Sequence, residues 1–194
     1  MLRVLDEGPL FWRVQAHCLQ ASLLITLGRI FDEDPRSRSI HTVVNATIGH
    51  PELFSKQALA GRKRGGGPKP EWLDDFITAA WAPTSAGELR HLKRGLAEHN
   101  ARFAAVYRPI RHAVFAHRLM SNDQAAFELF NKTNRDEARA SLDFLHDLID
   151  AIRELYVNGV RPELGTRCDT AYNQQIRNGT EKVLRKLLPR PARS

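Results

Sequence analysis

An arginine and a histidine six positions apart, Arg111 and His117, are the residues of this chain best suited to chemistry on a phosphate. They lie in the segment YRPIRHAVFAHR (residues 107–118), with His112 directly after the arginine and apolar residues between the two. Arginine is always cationic and binds a phosphate through two parallel hydrogen bonds. Histidine both gives and takes a proton near neutral pH. Together they are sufficient to cleave RNA without a metal, because one residue holds the phosphate while the other moves the proton.

The spacing of this pair leaves two interpretations open. On a continuous α-helix, positions six apart differ by about 120° in azimuth and by about 9 Å along the axis. In the first interpretation Arg111 is a solvated surface arginine and His117 packs at a helix interface. In the second, the two groups meet at one phosphate, either because the helix breaks near Ala116 or because a two-fold dimer brings two such segments together.

Other reactive groups in the chain lack the spacing that known sites require. The remaining histidines form no metal-binding pattern such as His-Glu-x-x-His, and Cys18 and Cys168 lie far apart in the sequence. The glycine run at 65–67 lacks the Gly-Lys-Ser/Thr ending of a phosphate-binding loop. We therefore expect neither a metal nor another cofactor.

The composition favours a polyanionic partner. The 194 residues carry a formal net charge of +7, which attracts nucleic acid, although a soluble basic protein without such a partner has the same composition. The length fits one domain, or one domain with an appendage. No apolar run reaches transmembrane length, and the first residues lack the apolar stretch of a signal peptide. We expect a cytoplasmic protein with no membrane partner.

Apolar residues recur at helical spacing along most of the chain, and no period-two strand pattern is present. Two apolar stripes on the first helix predict that it is buried on more than one side. Pro109 is expected either to kink one long helix or to separate two. The fold class is predicted to be all-α, an antiparallel helical bundle with extra short helices and a basic C-terminal helix. Helices are predicted over about 9–31, 39–48, 51–60, 70–81, 85–106, 122–132, 134–156 and 169–188, the last interrupted near Gly179.

The segment that holds the arginine–histidine pair has a familiar order. An arginine, a polar residue, a short apolar spacer and Ala-His resemble the Arg-(Asn/Asp/His)-x(n)-His signature of the HEPN superfamily, and most of all its abortive-infection branch. Residues 23–32 and 39–44 are similar to the first helix and the following short helix of that branch, and 134–156 to its last helix. The resemblance covers about residues 10–157. We therefore expect a HEPN-like bundle over 1–157, followed by a linker and a basic helical extension over 158–194.

The resemblance implies a metal-independent endoribonuclease that acts as a symmetric homodimer in phage defence or in a toxin–antitoxin pair. It gives catalytic roles to Arg111 and His117, and it makes His112 the polar residue that orients them or contacts the substrate. The implied partners are RNA and an antitoxin protein. The alternative is a non-catalytic helical module of the same superfamily that binds RNA or a protein partner.

Residues next to the motif bear on its activity and on how it would bind RNA. Arg108 and Arg118 either line the path of the RNA phosphates or are solvated charges. Leu119 stands where relatives often carry an acidic or polar residue, and Pro109 directly before the motif is unusual. Either departure from the family pattern is compatible with an altered or lost activity.

Overall fold

The computed structural model describes residues 8–116, 128–165 and 171–187. These residues form helices, turns and irregular segments without a strand, which confirms the predicted all-α class. No helix in these three ranges combines the length and the apolarity that crossing a bilayer requires.

The α-helices that the structure describes begin and end within about five residues of the predicted bounds, and most of the helix predicted over 122–132 lies outside the described residues. In chain order they are α1 (Pro9–Ile30), α2 (Ile40–Gly49), α3 (Lys56–Arg64), α4 (Leu73–Ala79), α5 (Arg90–Arg102), α6 (Arg135–Asn158) and α7 (Ala171–Leu187). Turns of 3-10 helix over Pro51–Phe54 and Ala86–Leu89 lead into α3 and α5. The predicted interruption near Gly179 is wrong, since α7 continues through it. A single glycine inside a helix costs only about 1 kcal/mol relative to alanine, which good helix formers on both sides can offset.

Local sequence signals set both ends of α6, the longest of the helices listed above. The side chain of Asn134 accepts hydrogen bonds from the backbone N–H groups of Asp136 and Glu137, at 2.8 and 3.4 Å. These two donors would otherwise have no partner in the first helical turn. At the other end Gly159 adopts a left-handed conformation with φ +62°, which glycine reaches without steric cost.

Contacts group the chain into two compact units, Leu24–Thr166 and the combination of Met1–Leu23 with Arg167–Ser194. In the first unit the second half of α1 packs with α2, α5 and α6 around one apolar core. Phe31 stacks on Phe103 with ring centroids 5.1 Å apart and planes inclined by 19°. The predicted division at residues 157–158 stays a prediction. The core residues include Leu24, Leu27, Phe31, Val44, Leu92, Leu96, Phe103, Ile110, Leu148 and Leu155.

The N-terminal half of α1 departs from its prediction. Leu10, Phe11 and Leu19 are 71%, 58% and 70% exposed, and Cys18 is exposed as well. The expectation that α1 is buried on more than one side is therefore wrong for this half of the helix. A periodic apolar stripe shows that a helix carries apolar surface, but it does not show that the same chain covers that surface.

Candidate functional site

The candidate site lies on one continuous helical run, from Arg90 to Ala116. Helix α5 passes directly into a π-helical segment over Phe103–Tyr107, one α-turn over Arg108–Ile110, and a second π-helical segment over Arg111–Ala116. Pro109 thus neither ends the helix nor separates two. Proline has no N–H, and its ring clashes with the carbonyl four residues back in an α-helix. We attribute the change from α- to π-helical geometry before Pro109 to these two effects. The wider π-turn on its N-terminal side is closed instead by the Arg108 N–H, which donates to the Phe103 carbonyl.

The side chain of Arg111 packs against α1 at Gly28, where the absence of a side chain leaves space for it. Its Cδ, Nε and Cζ atoms lie 2.6, 2.8 and 3.0 Å from the position that a Cβ on Gly28 would occupy. Gly28 is buried, and Arg111 is half-buried. A real Cβ essentially never approaches another atom so closely, so the arginine occupies space that only glycine leaves open at position 28.

Gly28 has no conformational reason to be a glycine. It lies inside α1 with ordinary helical geometry, where glycine is destabilising by about 1 kcal/mol relative to alanine. An isolated glycine in a helix interior usually has a packing or functional reason. The passage of the Arg111 side chain supplies that reason here.

Arg108 is fixed by a carboxylate from the segment that follows α1. Its Nη2 lies 3.2 Å from Oε2 of Glu33, and its guanidinium lies 6.0 Å from the centroid of the Phe103 ring. Glu33 also accepts a hydrogen bond from Nδ2 of Asn100 at 2.7 Å. The hydrogen bond from Asn100, followed by the one from Arg108, lowers the pKa of the Glu33 carboxyl. The charge of Arg108 is therefore partly neutralised within the protein.

Tyr107 anchors the same run to the start of α6. Its ring is buried, and its hydroxyl donates to the backbone carbonyl of Asn134 at 3.2 Å. Burial raises the pKa of the Tyr107 hydroxyl, which therefore stays protonated as a donor. The candidate site is in this way braced on one side by α1, through Gly28, and on the other by the cap of α6.

The remaining predicted site residues divide into two groups. His112 is exposed on the second π-helical segment, directly after Arg111. His117, Arg118 and Leu119 lie outside the described residues. The structure brings Arg111 and Arg108 to the same stretch of helix beside α1, and the relation between Arg111 and His117 stays a prediction.

Three residues around the site were missed from the sequence. Gly28 leaves space for Arg111, and Glu33, which accepts a hydrogen bond from Asn100, binds Arg108. None of them belongs to the arginine–histidine motif, although Gly28 lies in the segment 23–32 that resembles the first helix of the family. The one available signal was a glycine in the middle of a strongly apolar helical pattern. In the three described ranges, no group of three or more histidine, cysteine, aspartate or glutamate residues is arranged to hold a metal ion.

Comparison with known proteins identifies one family. A protein-family model described as HEPN_AbiU2, AbiU2, matches residues 2–175. No curated protein and no solved structure matches the chain. The matched region includes Gly28 as well as the segment from Arg108 to Arg118.

Proposed function

The chain belongs to the HEPN AbiU2 family, whose model covers residues 2–175 of its 194, and we propose that it is an RNA-cleaving member of that family. The expected likeness to abortive-infection HEPN proteins is confirmed at the level of the family, and the chain is an abortive-infection-related HEPN module. The cleavage of RNA is the proposal, and it rests on the packing of Arg111 over Gly28.

The observation that carries the proposal is the packing of Arg111 over Gly28. Its Cδ, Nε and Cζ atoms pack over a glycine that weakens its own helix, and Arg111 is the first residue of a π-helical segment. Segments of π-helix are rare and occur frequently at functional sites. A solvated surface arginine needs none of these arrangements, so we infer that this cation has a defined target.

The proposed reaction is an internal transesterification of RNA. The 2′-oxygen of one nucleotide attacks the adjacent phosphorus, and the P–O5′ bond breaks as the P–O2′ bond forms. A base takes the proton of the 2′-hydroxyl and an acid protonates the departing 5′-oxygen, which leaves a 2′,3′-cyclic phosphate and a 5′-hydroxyl. We assign these proton transfers to His117, with His112 as the second candidate; such a role is typically worth about 10²–10⁴-fold in rate.

Arg111 is assigned to the phosphate itself. The phosphorus becomes pentacoordinate in the transition state and its oxygens carry extra negative charge, which a preorganised guanidinium stabilises through charge-assisted hydrogen bonds. Removing one donor of this kind typically costs roughly 3–4 kcal/mol. Arg108 and Arg118 are proposed to contact neighbouring phosphates, and Arg108 must exchange its contact with Glu33 for a phosphate to do so.

We propose further that the active form is a homodimer, in which each phosphate meets Arg111 of one subunit and His117 of the other. The exposed apolar residues of α1, among them Leu10, Phe11 and Leu19, support self-association, because large exposed apolar surface marks interaction sites. Phage defence or a toxin–antitoxin pair is the proposed setting, with an antitoxin as a further protein partner.

The decisive experiment is RNA cleavage in excess chelator. Purified protein is incubated with bulk transfer RNA and with a random-sequence RNA, and the new ends are analysed. We expect 2′,3′-cyclic phosphate ends from the wild type and none from Arg111→Lys or His117→Ala. DNA of the same sequence should remain intact, because it lacks the attacking hydroxyl.

Two outcomes would contradict the proposal. Intact RNA with wild-type protein would remove the catalytic function and leave a helical module that binds RNA or a protein partner. Undiminished cleavage by His117→Ala would remove the assignment of His117. A variant of an exposed histidine on α6, His146→Ala, serves as the control for histidine loss as such.

A further inference from the structure

One exposed face of α5 concentrates positive charge away from Arg111. Lys93 and Arg94 lie three and four positions after Arg90, which places each of them beside Arg90 on the surface of an α-helix. Together with Gly87 and Ala97 they line a shallow cavity of about 470 Å³. All five residues are exposed. We call these five residues the α5 basic face.

The three cations of this face are not neutralised within the described part of the chain, where none of them makes an ion pair or hydrogen bond to a carboxylate. The nearest acids in the sequence are engaged elsewhere. Glu88 accepts hydrogen bonds from Thr84 and from the backbone of Ser85, and Glu98 lies 4.0 Å from Arg102. Like charges three and four positions apart slightly destabilise a helix, and a bound anion would relieve this repulsion.

The fold keeps this face turned toward solvent. On the opposite side of the same helix, Leu92 and Leu96 are almost completely buried in the core, as is Leu89 directly before it. The helix cannot rotate without exposing these leucines. The three cations are therefore presented on a rigid surface, and a ligand that binds them pays little to order the backbone.

The chemistry of the face selects the class of ligand. Protein interfaces depend on buried aromatic, arginine and other large anchors in an apolar centre, and the non-charged members of this face are only a glycine and an alanine. Nucleic-acid interfaces are instead polar and strongly positive, and most of their contacts go to phosphates. The charge and the lack of apolar anchors favour a phosphate backbone over an acidic protein.

We propose that the α5 basic face is a docking surface for the phosphate backbone of the substrate RNA, separate from the Arg111 site. Identifying the polyanion as the RNA substrate rests on the proposed function. Arg94 and Arg111 belong to the same continuous helical run, on the order of 25 Å apart by the rise of an α-helix. The face thus binds nucleotides remote from the cleaved bond and contributes to affinity, not to the chemical step.

The test compares two triple variants of the full chain that lose the same charge. The first is Arg90→Gln/Lys93→Gln/Arg94→Gln. The matched control, Arg36→Gln/Arg135→Gln/Arg139→Gln, removes three exposed arginines that are each paired with an aspartate. Binding is measured against salt concentration with a 2′-O-methyl RNA, which cannot undergo the proposed cleavage. Circular dichroism establishes that each variant is folded, and if the triple variant does not fold, the single variants Arg94→Gln and Arg36→Gln replace the pair.

We expect the basic-face variant to bind at least about tenfold more weakly at low salt. The slope of log K against log salt should fall in magnitude by about 2, because each phosphate contact on a single strand contributes about 0.7. The control should change the slope by less than half as much. Equal losses in both variants would mean that only net charge matters and would overturn the inference. So would equally tight binding of poly-glutamate at the face, which would identify an acidic protein as its ligand.

The outcome is independent of the cleavage experiment. If the wild type leaves RNA intact and the basic-face variant still loses binding, the docking surface stands and the nuclease assignment fails. If the wild type cleaves RNA and the basic-face variant binds like the wild type, the nuclease stands and the docking surface fails.

Discussion

The side chain of Arg111 crosses α1 at Gly28, with its Cδ 2.6 Å from the position that a Cβ at residue 28 would occupy. The atoms that approach so closely are Cδ, Nε and Cζ, the far end of a flexible side chain. A methyl group at position 28 would therefore displace the guanidinium without forcing the two helices apart. A substitution at position 28 can therefore move the Arg111 guanidinium without destabilising the fold.

Gly28→Ala should abolish most RNA cleavage while the protein stays folded. Alanine raises helix propensity by up to about 1 kcal/mol, so the free energy of unfolding should hold or rise. A displacement of about 1 Å in a catalytic group can cost on the order of a hundredfold in rate. The control is Gly61→Ala in α3, where an added Cβ meets nothing within 4 Å. Full activity in Gly28→Ala would show that Arg111 does not need this position.

Mixed dimers test whether each site is shared between subunits. Arg111→Lys and His117→Ala are each expected to be inactive. If the arginine and the histidine of one site come from different subunits, a heterodimer of the two variants contains one intact site. The two variants are unfolded together and refolded, so that protomers pair at random and about half of the dimers are mixed. Each mixed dimer has one of its two sites intact, so about a quarter of the wild-type cleavage rate should return. No recovery on mixing would place both residues of a site in one subunit.

Gly159→Ala should strongly destabilise the fold. The residue has φ +62°, and a Cβ there would lie 2.7 Å from the Cβ of Ala80 and 2.8 Å from Cδ2 of Leu59. The left-handed conformation costs a residue with a Cβ about 1–2 kcal/mol, and overpacking adds about 1–3 kcal/mol. Gly65 has a similar φ of +58°, but a Cβ there would meet nothing within 4 Å. Gly65→Ala should therefore lose only the free energy of the left-handed conformation and none from overpacking. Denaturant unfolding of the two variants measures the difference.

His99 should make stability depend on pH. Its ring stacks on Phe144 at 4.1 Å, and burial lowers its pKa from 6.5. The unfolded chain then binds more protons than the folded chain just below pH 6.5, so stability falls as the pH drops from 6.5 toward the lowered folded pKa. His99→Gln should flatten this part of the profile relative to the wild type, and the exposed His146→Gln is measured beside it as the control for the loss of a histidine as such. An unaltered profile in His99→Gln would assign the effect to another group.

Glu33 should change the free energy of unfolding at lower pH than His99 does, and by a small amount. Its folded pKa is lowered from 4.5, chiefly by the hydrogen bond from Asn100, so its stabilisation is present above pH 4.5 and is lost as the pH falls through the folded pKa. The carboxylate is largely exposed, so Glu33→Gln should cost less than about 1 kcal/mol near pH 7. The same change frees Arg108 and should tighten RNA binding. Weaker binding by Glu33→Gln would instead mean that Glu33 holds Arg108 in its productive position.

Helix positions followed from local rules. The Asn134 cap and the Gly159 terminus set the ends of the helix predicted over 134–156, and each depends only on residues within one turn of it. The passage of the helix through Pro109 was not, because an α-helix is the expected geometry and the π-helical segments on either side of this proline give no periodic signal. The azimuth of about 120° between positions 111 and 117 belongs to an α-helix, whereas the chain is π-helical over Arg111–Ala116.

The sequence by itself determined the all-α class, most helix ends and the segment that carries Arg111 and His112, because each of these depends on residues close together in the chain. It also determined the family, because that resemblance depends on the order of residues along the chain and not on how they pack. Only the tertiary structure decided that Arg111 crosses α1 at Gly28 and that Glu33 holds Arg108. It also decided that Arg90, Lys93 and Arg94 face solvent together. These relations depend on how distant helices pack against one another, and side-chain spacing along one helix does not specify which residue of another helix it meets.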